Sequence, residues 1–216
     1  MYQPAHGRFV VAEPAALLAE LSAVVPATLV TVGPEGMRTT ILPMVFDAPE
    51  GEHGTLRGHV ARGNPHWREI ADDGTTGAIA IFIGPDAYIS PAWYEEKRLT
   101  GKVVPTWNYT TAVAHGRLTL HHEPDWLIPH VRRLVERQEG ARDEPWSVDD
   151  APADFVTLQA KAIVGLELRI ERIDAKRKLT QNRSEADFDG VVEALSGGSP
   201  REQAVAAEMH REKLGS

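Results

Sequence analysis

The sequence predicts a mainly β protein with peripheral helices, built as an antiparallel barrel. Three observations carry that expectation. Some six or seven apolar or alternating runs of strand length recur along the chain, most of them joined by short turns rich in glycine and proline. The few helical segments do not alternate with the strands as βαβ units, which argues against a doubly wound parallel sheet. With 216 residues, 42% of them hydrophobic and 25% charged, the chain can bury one sizeable core.

Taken in order, Glu13 to Val25 places Leu17, Leu18, Leu21 and Val25 at helical spacing, with Pro14 in the first turn. Ala27–Val32 and Met37–Asp47 flank a Gly-Pro-Glu-Gly turn and read as a hairpin. Thr55–Val60 is a third strand, and "NPHWREIADD" a short helix after it. Gly77–Gly84 is a continuous apolar strand. "DAYIS" and Gly101–Leu118 ("GKVVPTWNYTTAVAHGRL") add strand on either side of the loop "PAWYEEKRLTG". Helices are expected over Glu123–Gly140, weakened early by Pro129, and near Ala153–Ala162. In "IVGLELRIERI", Val164, Leu166, Leu168 and Ile170 alternate with Gly165, Glu167, Arg169 and Glu171, a half-buried strand. After Ser184 the composition becomes small and polar, so a helical tail that is peripheral or partly disordered is expected. The division is then 1–183 for the barrel and 184–216 for the tail.

Composition excludes several functions. Cysteine is absent, which removes disulfides and thiolate metal sites and fits a reducing cytoplasm. No apolar run approaches the roughly 20 residues that cross a bilayer, and the opening "MYQPAHGRFV" lacks a secretory pattern. The net charge of -8 opposes indiscriminate attraction to nucleic acid. The exception is Arg169 to Arg183, where six basic residues face two acids; it reads as a solvated strand edge or as a DNA or anion contact. His121-His122-Glu123 is too tightly spaced to converge on a metal from one strand, and no HExxH, P-loop, GxGxxG or GxSxG pattern occurs.

Four segments could carry chemistry. In "LRGHVARGNPHW" a strand ends in a basic turn and a helix opens with Asn64 and Pro65; Arg57, His59 and Arg62 stand at the same end. A plain helix start and an anion site weigh evenly there. In Gly101–Leu118, alternation puts Trp107, Tyr109, Thr111 and Val113 on one face and Thr106, Asn108, Thr110 and Ala112 on the other. That wall suits either barrel packing or a planar ring. "AYISPAWYEEK" gathers aromatics around a proline turn, and "KRKLTQNR" is a basic turn able to clamp a carboxylate, a phosphate or a partner subunit.

Together and in this order, "MYQPAHGRF", "TLRGHVARGNPHW", "AYISPAWY", "GKVVPTWNY…HGRL", "DAPADF", "AIVGLEL" and "KLTQNR" resemble the PaiB-type FMN-binding negative transcriptional regulators, from Met1 to about Leu195. The resemblance implies a split β-barrel related to pyridoxamine-phosphate oxidase, and a homodimer with FMN near the subunit interface. It implies that Arg57, Gly58 and His59 end the strand along the flavin and that Arg62 and Asn64 take its phosphate. By the same resemblance, Lys102, Val103, Val104, Thr106, Trp107 and Asn108 line the ring or the dimer-side wall. Gln181, Asn182 and Arg183 would close the site, from either subunit. Ala92 and Thr180 depart from the family pattern, which often has serine at both places. The implied function is FMN-binding gene repression; the alternatives are an FMN-dependent oxidoreductase acting on a small molecule and a flavin or haem carrier. No catalytic residue is assigned, His59 and Tyr109 being candidate acids or bases.

Overall fold

A computed structural model describes residues 1, 7, 9–48, 53–71 and 73–214. Most of the motif "MYQPAHGRF" and part of the loop before Thr55 lie outside the described residues. Seven strands, β1 (Ala27–Gly33), β2 (Gly36–Leu42), β3 (Met44–Asp47), β4 (Thr55–Ala61), β5 (Thr76–Ile89), β6 (Thr106–His121) and β7 (Ile163–Lys178), form one sheet in the order β2-β1-β5-β6-β7-β4-β3. The β1–β2, β1–β5, β3–β4 and β4–β7 pairs are antiparallel. Among the described residues, six α-helices accompany it: α1 (Pro14–Val24), α2 (Glu95–Leu99), α3 (Pro124–Glu139), α4 (Ala153–Ala160), α5 (Glu185–Ser196) and α6 (Pro200–Leu214). The chain divides into two compact units: residues 13–82 with 112–174, the β1–β4 unit, and residues 1–12, 83–111 and 175–216, the α5–α6 unit.

In the β1–β4 unit, the Pro34-Glu35 turn closes the β1–β2 hairpin at Gly33 and Gly36, and Gly36 supplies the φ of 110° that the turn needs. The sequence predicts one strand over Met37–Asp47. It is two, because Pro43 has no N–H to give a ladder and the chain turns there. Those two strands are the opposite edges of the sheet. One residue therefore carries the chain from edge to edge, which rolls the sheet into a barrel. Gly58, opposite Met44, makes the corner possible: a Cβ on it would lie 2.9 Å from Leu42 Cδ1 and from the Pro43 carbonyl. The core here includes Leu17, Leu18 and Leu21 of α1 with Leu29, Leu56, Leu166 and Leu168, each no more than 2% exposed.

β5 is a single strand where two were expected. Its ladder to β1 ends at Ile81, so the N–H that Pro85 lacks costs no bond on that side. β7 runs on to Lys178, which absorbs most of the basic segment into regular strand.

The α5–α6 unit corrects the expectation of a peripheral tail. Phe188, Val191 and Leu195 of α5 and Val205, Ala206 and Met209 of α6 are buried with Ala87, Ile89, Tyr94 and Leu179 in one core. The polar composition hid a narrow apolar stripe: Val205 and Met209 are four residues apart on one face, which is enough to seat a helix.

At Gly116 of β6 the backbone of β7 passes so close that an added Cβ would sit 2.0 Å from the Arg169 carbonyl oxygen. Gly116→Ala should lower the unfolding free energy by about 1–3 kcal/mol. Gly77→Ala, whose methyl would meet nothing within 4 Å, should change it by less than about 0.5 kcal/mol. Urea titration measures both, and equal effects would contradict the close approach.

Candidate functional site

The residues assigned by resemblance fall in both units, and each set has its own surroundings. In the β1–β4 unit, Arg57 lies on β4 directly across from Glu167 of β7. Its Nε donates to Glu167 Oε2 at 2.8 Å and its Nη1 to Asp47 Oδ2 at 3.1 Å. Arg133 of α3 also binds Asp47. Two arginines and two carboxylates thus form a partly buried network, so Arg57 is neutralised by protein groups.

Gly58 is buried at the Pro43 corner, and His59 points to α3. His59 Nδ1 and His130 Nε2 are 3.1 Å apart, and the His130 ring stacks on Trp126, which in turn stacks on His121 at 4.1 Å between centroids. Gly165 leaves room for that indole, since a Cβ there would come within 2.3 Å of it. Burial pushes His59 and His121 below the usual imidazole range. It pushes His130 to about 3, helped by the positive neighbours Arg133 and Arg57. The pair shares its hydrogen bond as two neutral rings, one donating and one accepting.

The expected helix at "NPHWREIADD" is a five-residue 3-10 turn, Pro65–Glu69. Asn64 caps it with its own Oδ1, which accepts from the His66 N–H at 3.0 Å, while Nδ2 donates to Thr40 at 3.3 Å. So short a turn has little dipole, and the anion-site reading loses that support. His66 is a satisfied core histidine between Thr31 and Thr40, at 2.8 and 2.7 Å. Arg62 donates from Nε to the Lys161 carbonyl at 2.9 Å and from Nη2 to the Ile163 carbonyl at 3.0 Å, so it pins the C-terminal end of α4.

In the α5–α6 unit, β6 alternates as read: Asn108 and Thr110 are fully buried, Tyr109 is half-buried and Trp107 is 51% exposed. The polar face, not the aromatic one, turns inward. Asn108 Nδ2 donates to Thr180 Oγ1 at 2.9 Å and approaches Met209 Sδ at 3.5 Å. Thr180 sits at φ 70°, a backbone that β-branched residues rarely adopt. The Asn108 amide therefore holds a strained turn in place. Gln181 closes the same turn by accepting from the Leu179 N–H and donating to the Arg177 carbonyl, each at 2.7 Å. Asn182 is exposed beyond it, and the Arg183 guanidinium lies 4.7 Å over the Tyr94 ring. Thr180, Gln181 and Arg183 line a cleft of about 270 Å³ with Phe188, Glu212 and Lys213.

Lys102 and Val104 are exposed ahead of β6, Val103 leans on the core, and Trp107 meets Tyr88 edge to face at 6.1 Å. Thr106 accepts from Lys178 Nζ. Two lysines of the basic turn "KRKLTQNR" that the resemblance does not assign to the site join them: the ammonium groups of Lys176 and Lys178 stand 5.7 and 5.9 Å from the Tyr109 ring centre. Their i, i+2 spacing on an alternating strand was the available signal. Burial and Lys176 together lower the Lys178 pKa. Paired ammonium groups, a guanidinium and aromatic faces form a donor set whose chemistry fits a flavin: a planar ring with an anionic tail. Among the described residues, no cluster of histidine and carboxylate has the form of a metal site.

The neutral histidine pair has a consequence for stability. Folded His130 takes a proton only near pH 3, whereas an unfolded histidine takes one near 6.5. Its contribution is therefore present above about pH 6.5 and lost as pH falls toward 3, by at most about 1.4 kcal/mol per pH unit. His130→Phe should flatten that slope in urea titrations between pH 7.5 and 4.5, and an unchanged slope would remove the burial argument.

Comparison with known proteins matches this architecture. The family described as "Putative FMN-binding domain" matches residues 1–172. The chain is 34% identical over 189 residues to the Protease synthase and sporulation protein PAI 2 of Bacillus subtilis, covering 87% of this chain and 86% of that one. It is 33% identical over 185 residues to the uncharacterized protein AN0679 of Emericella nidulans, covering 72% and 74%. Among solved structures, the conserved hypothetical protein Rv2991 of Mycobacterium tuberculosis superposes with a TM-score of 0.56 at 16% identity, covering 86% of this chain and 95% of that one. The flavocytochrome Anf3 of Azotobacter vinelandii superposes with a TM-score of 0.54 at 13% identity, covering 87% and 78%. These last two likenesses are of fold. The chain belongs to the FMN-binding domain family, as a PaiB-like split-barrel protein whose cofactor is FMN.

Proposed function

We propose that the protein works through its bound FMN as a homodimeric, cytoplasmic flavoprotein, and that any effect on transcription does not run through a DNA-gripping surface of this chain. One observation carries this reading. The segment with the largest basic surplus, Arg169 to Arg183, is largely engaged by the protein itself. Arg172 binds Asp174 at 2.7 Å, Arg177 lies 3.8 Å from Glu208 and 3.9 Å from Glu212, Lys176 is buried beside Tyr109, and Arg183 covers Tyr94. Duplex binding gains its affinity by neutralising many phosphates with available cations, and a chain of net charge -8 has few to offer.

Exposed apolar residues support the dimer. In the β1–β4 unit, Val32 and Met37 face each other across the hairpin at 72% and 78% exposure, with Ile41 at 72% on the same side. In the α5–α6 unit, Ile83, Val104 and Trp107 are at least half exposed. Such patches are uncommon on monomers. No helix among the described residues is long and apolar enough to cross a membrane.

When bound, FMN supplies the redox chemistry, and the protein residues bind and orient it. The proposed holders are those named from the resemblance. In the β1–β4 unit these are Arg57, Gly58, His59, Arg62 and Asn64. There Arg62, already bonded through Nε and Nη2, offers Nη1 to a phosphate. In the α5–α6 unit they are Lys102, Val103, Val104, Thr106, Trp107, Asn108, Gln181, Asn182 and Arg183. Lys178 adds a charge beside the Tyr109 ring.

Purified full-length protein should show flavin absorbance and release FMN on denaturation; a Soret band instead would place it with haem carriers. NADPH should bleach the flavin. Low-salt mobility shifts with promoter-length duplex should show no discrete complex, and a salt-sensitive specific shift would overturn the indirect reading. Arg62→Ala and Arg183→Ala should each weaken FMN retention by about 1–3 kcal/mol, and unchanged affinity would strike that residue from the site.

A further inference from the structure

The β1–β4 unit contains a second cavity, of about 210 Å³, between α3, α4 and the segment that joins them. Ile128 and Val131 of α3 form one wall, Val156 and Ala160 of α4 the other, and Ile163 and His59 the floor. Trp146 and Phe155 stand at the lip, 49% and 51% exposed. No aspartate, glutamate, lysine or arginine lines it; the polar side-chain groups are the His59 imidazole, the Gln159 amide and the Trp146 indole N–H.

α4 is poorly packed for a helix so rich in apolar residues. Of its eight residues only Ala160 is buried, and Leu158 is 63% exposed. A two-turn helix is not stable on its own and needs something to lie against. Its C-terminal end is fixed: the Arg62 N–H donates to the Ala162 carbonyl at 2.8 Å, and the Arg62 guanidinium to Lys161 and Ile163. Its N-terminal end starts at Pro152 without a side-chain cap. The helix thus lies over an apolar chamber, with its C-terminal end held by Arg62.

We infer that this chamber is a binding site for a small, neutral aromatic molecule of one or two rings, its single polar group directed at His59. Charge selects the class, because an anion or cation here would be stripped of water without a partner. For the same reason the chamber does not take the FMN phosphate, which would find no cation among its lining; His59 is the one residue it shares with the proposed flavin holders. Size sets the limit, since drug-sized ligands take roughly 300–1,000 Å³. The half-exposed indole and phenyl rings at the lip supply faces against which a planar ligand stacks. His59, held by His130 at 3.1 Å, is a fixed neutral hydrogen-bonding group suited to a phenol or an amide edge.

Full-length, FMN-loaded protein titrated calorimetrically with 2-naphthol should give a single-site isotherm. Val156→Phe, which fills the chamber, should weaken binding at least about tenfold, and Phe155→Ala, at an exposed position that leaves the fold intact, about threefold. Flavin absorbance should be the same in both variants, which separates this site from the flavin. Absence of heat up to the solubility limit, equal binding of 2-naphthoate, insensitivity to both substitutions, or displacement of naphthol by added FMN would each overturn the assignment.

Discussion

A single residue has to carry the chain from one edge of the sheet to the other, and most of the structure depends on how that is done. Pro43 cannot donate to a ladder, so the strand breaks there and nowhere nearby. The break brings β2 and β3, the outermost strands, together at one corner. The corner closes only because its neighbour across β3 is Gly58, where any side chain would collide with Leu42 and the Pro43 carbonyl. A glycine that resemblance assigns to cofactor contact therefore has an architectural duty as well. Its position fixes those of Arg57 and His59, which point to the opposite side of β4 from it and meet the charged network and the histidine pair.

The same economy appears on β6. By residue type Trp107 and Tyr109 suit a core better than Asn108, yet Asn108 is fully buried while Tyr109 is half-buried and Trp107 is 51% exposed. The reversal has a mechanical reason. Thr180 occupies a left-handed backbone conformation, and an amide that bonds its hydroxyl from the core side holds it there. The aromatic residues are left outward, where Tyr109 collects two lysines and Trp107 remains open to a partner. Inward polarity and outward aromaticity are thus one arrangement, in which the buried bond sets the turn and the turn presents Gln181, Asn182 and Arg183.

Strand period and turn chemistry made most of the fold legible in the sequence. The hairpin at Gly33–Gly36, the alternation of β6 and β7 and the helices α1, α3 and α4 all follow from local residue patterns. The misreadings share one cause, a local signal outweighed by tertiary context. The strand expected over Gly77–Gly84 continues through Pro85, which sits where no ladder bond to β1 is needed. α6 looked marginal, since two turns of polar residues conceal Val205 and Met209, and only packing with α5 reveals their use. Of the candidate site, residue types were legible and partners were not. Nothing near Arg57 in sequence announces Asp47 and Glu167, and the 71-residue separation of His59 from His130 cannot be read from either motif.

Charge placement decides which anion such a chain can hold. At a net charge of -8, long-range attraction is unavailable, and binding must come from a few cations concentrated at one place. β7 does this by alternation: Lys176 and Lys178 emerge on the same side of the strand and flank one ring, while Arg177 between them turns the other way toward Glu208 and Glu212. A duplex would need cations spread along its backbone at the spacing of its phosphates. Paired lysines beside an aromatic face instead suit a compact anion attached to a planar group, which is the shape of a flavin mononucleotide. The placement of these lysines, more than their number, is what favours a cofactor over a nucleic acid.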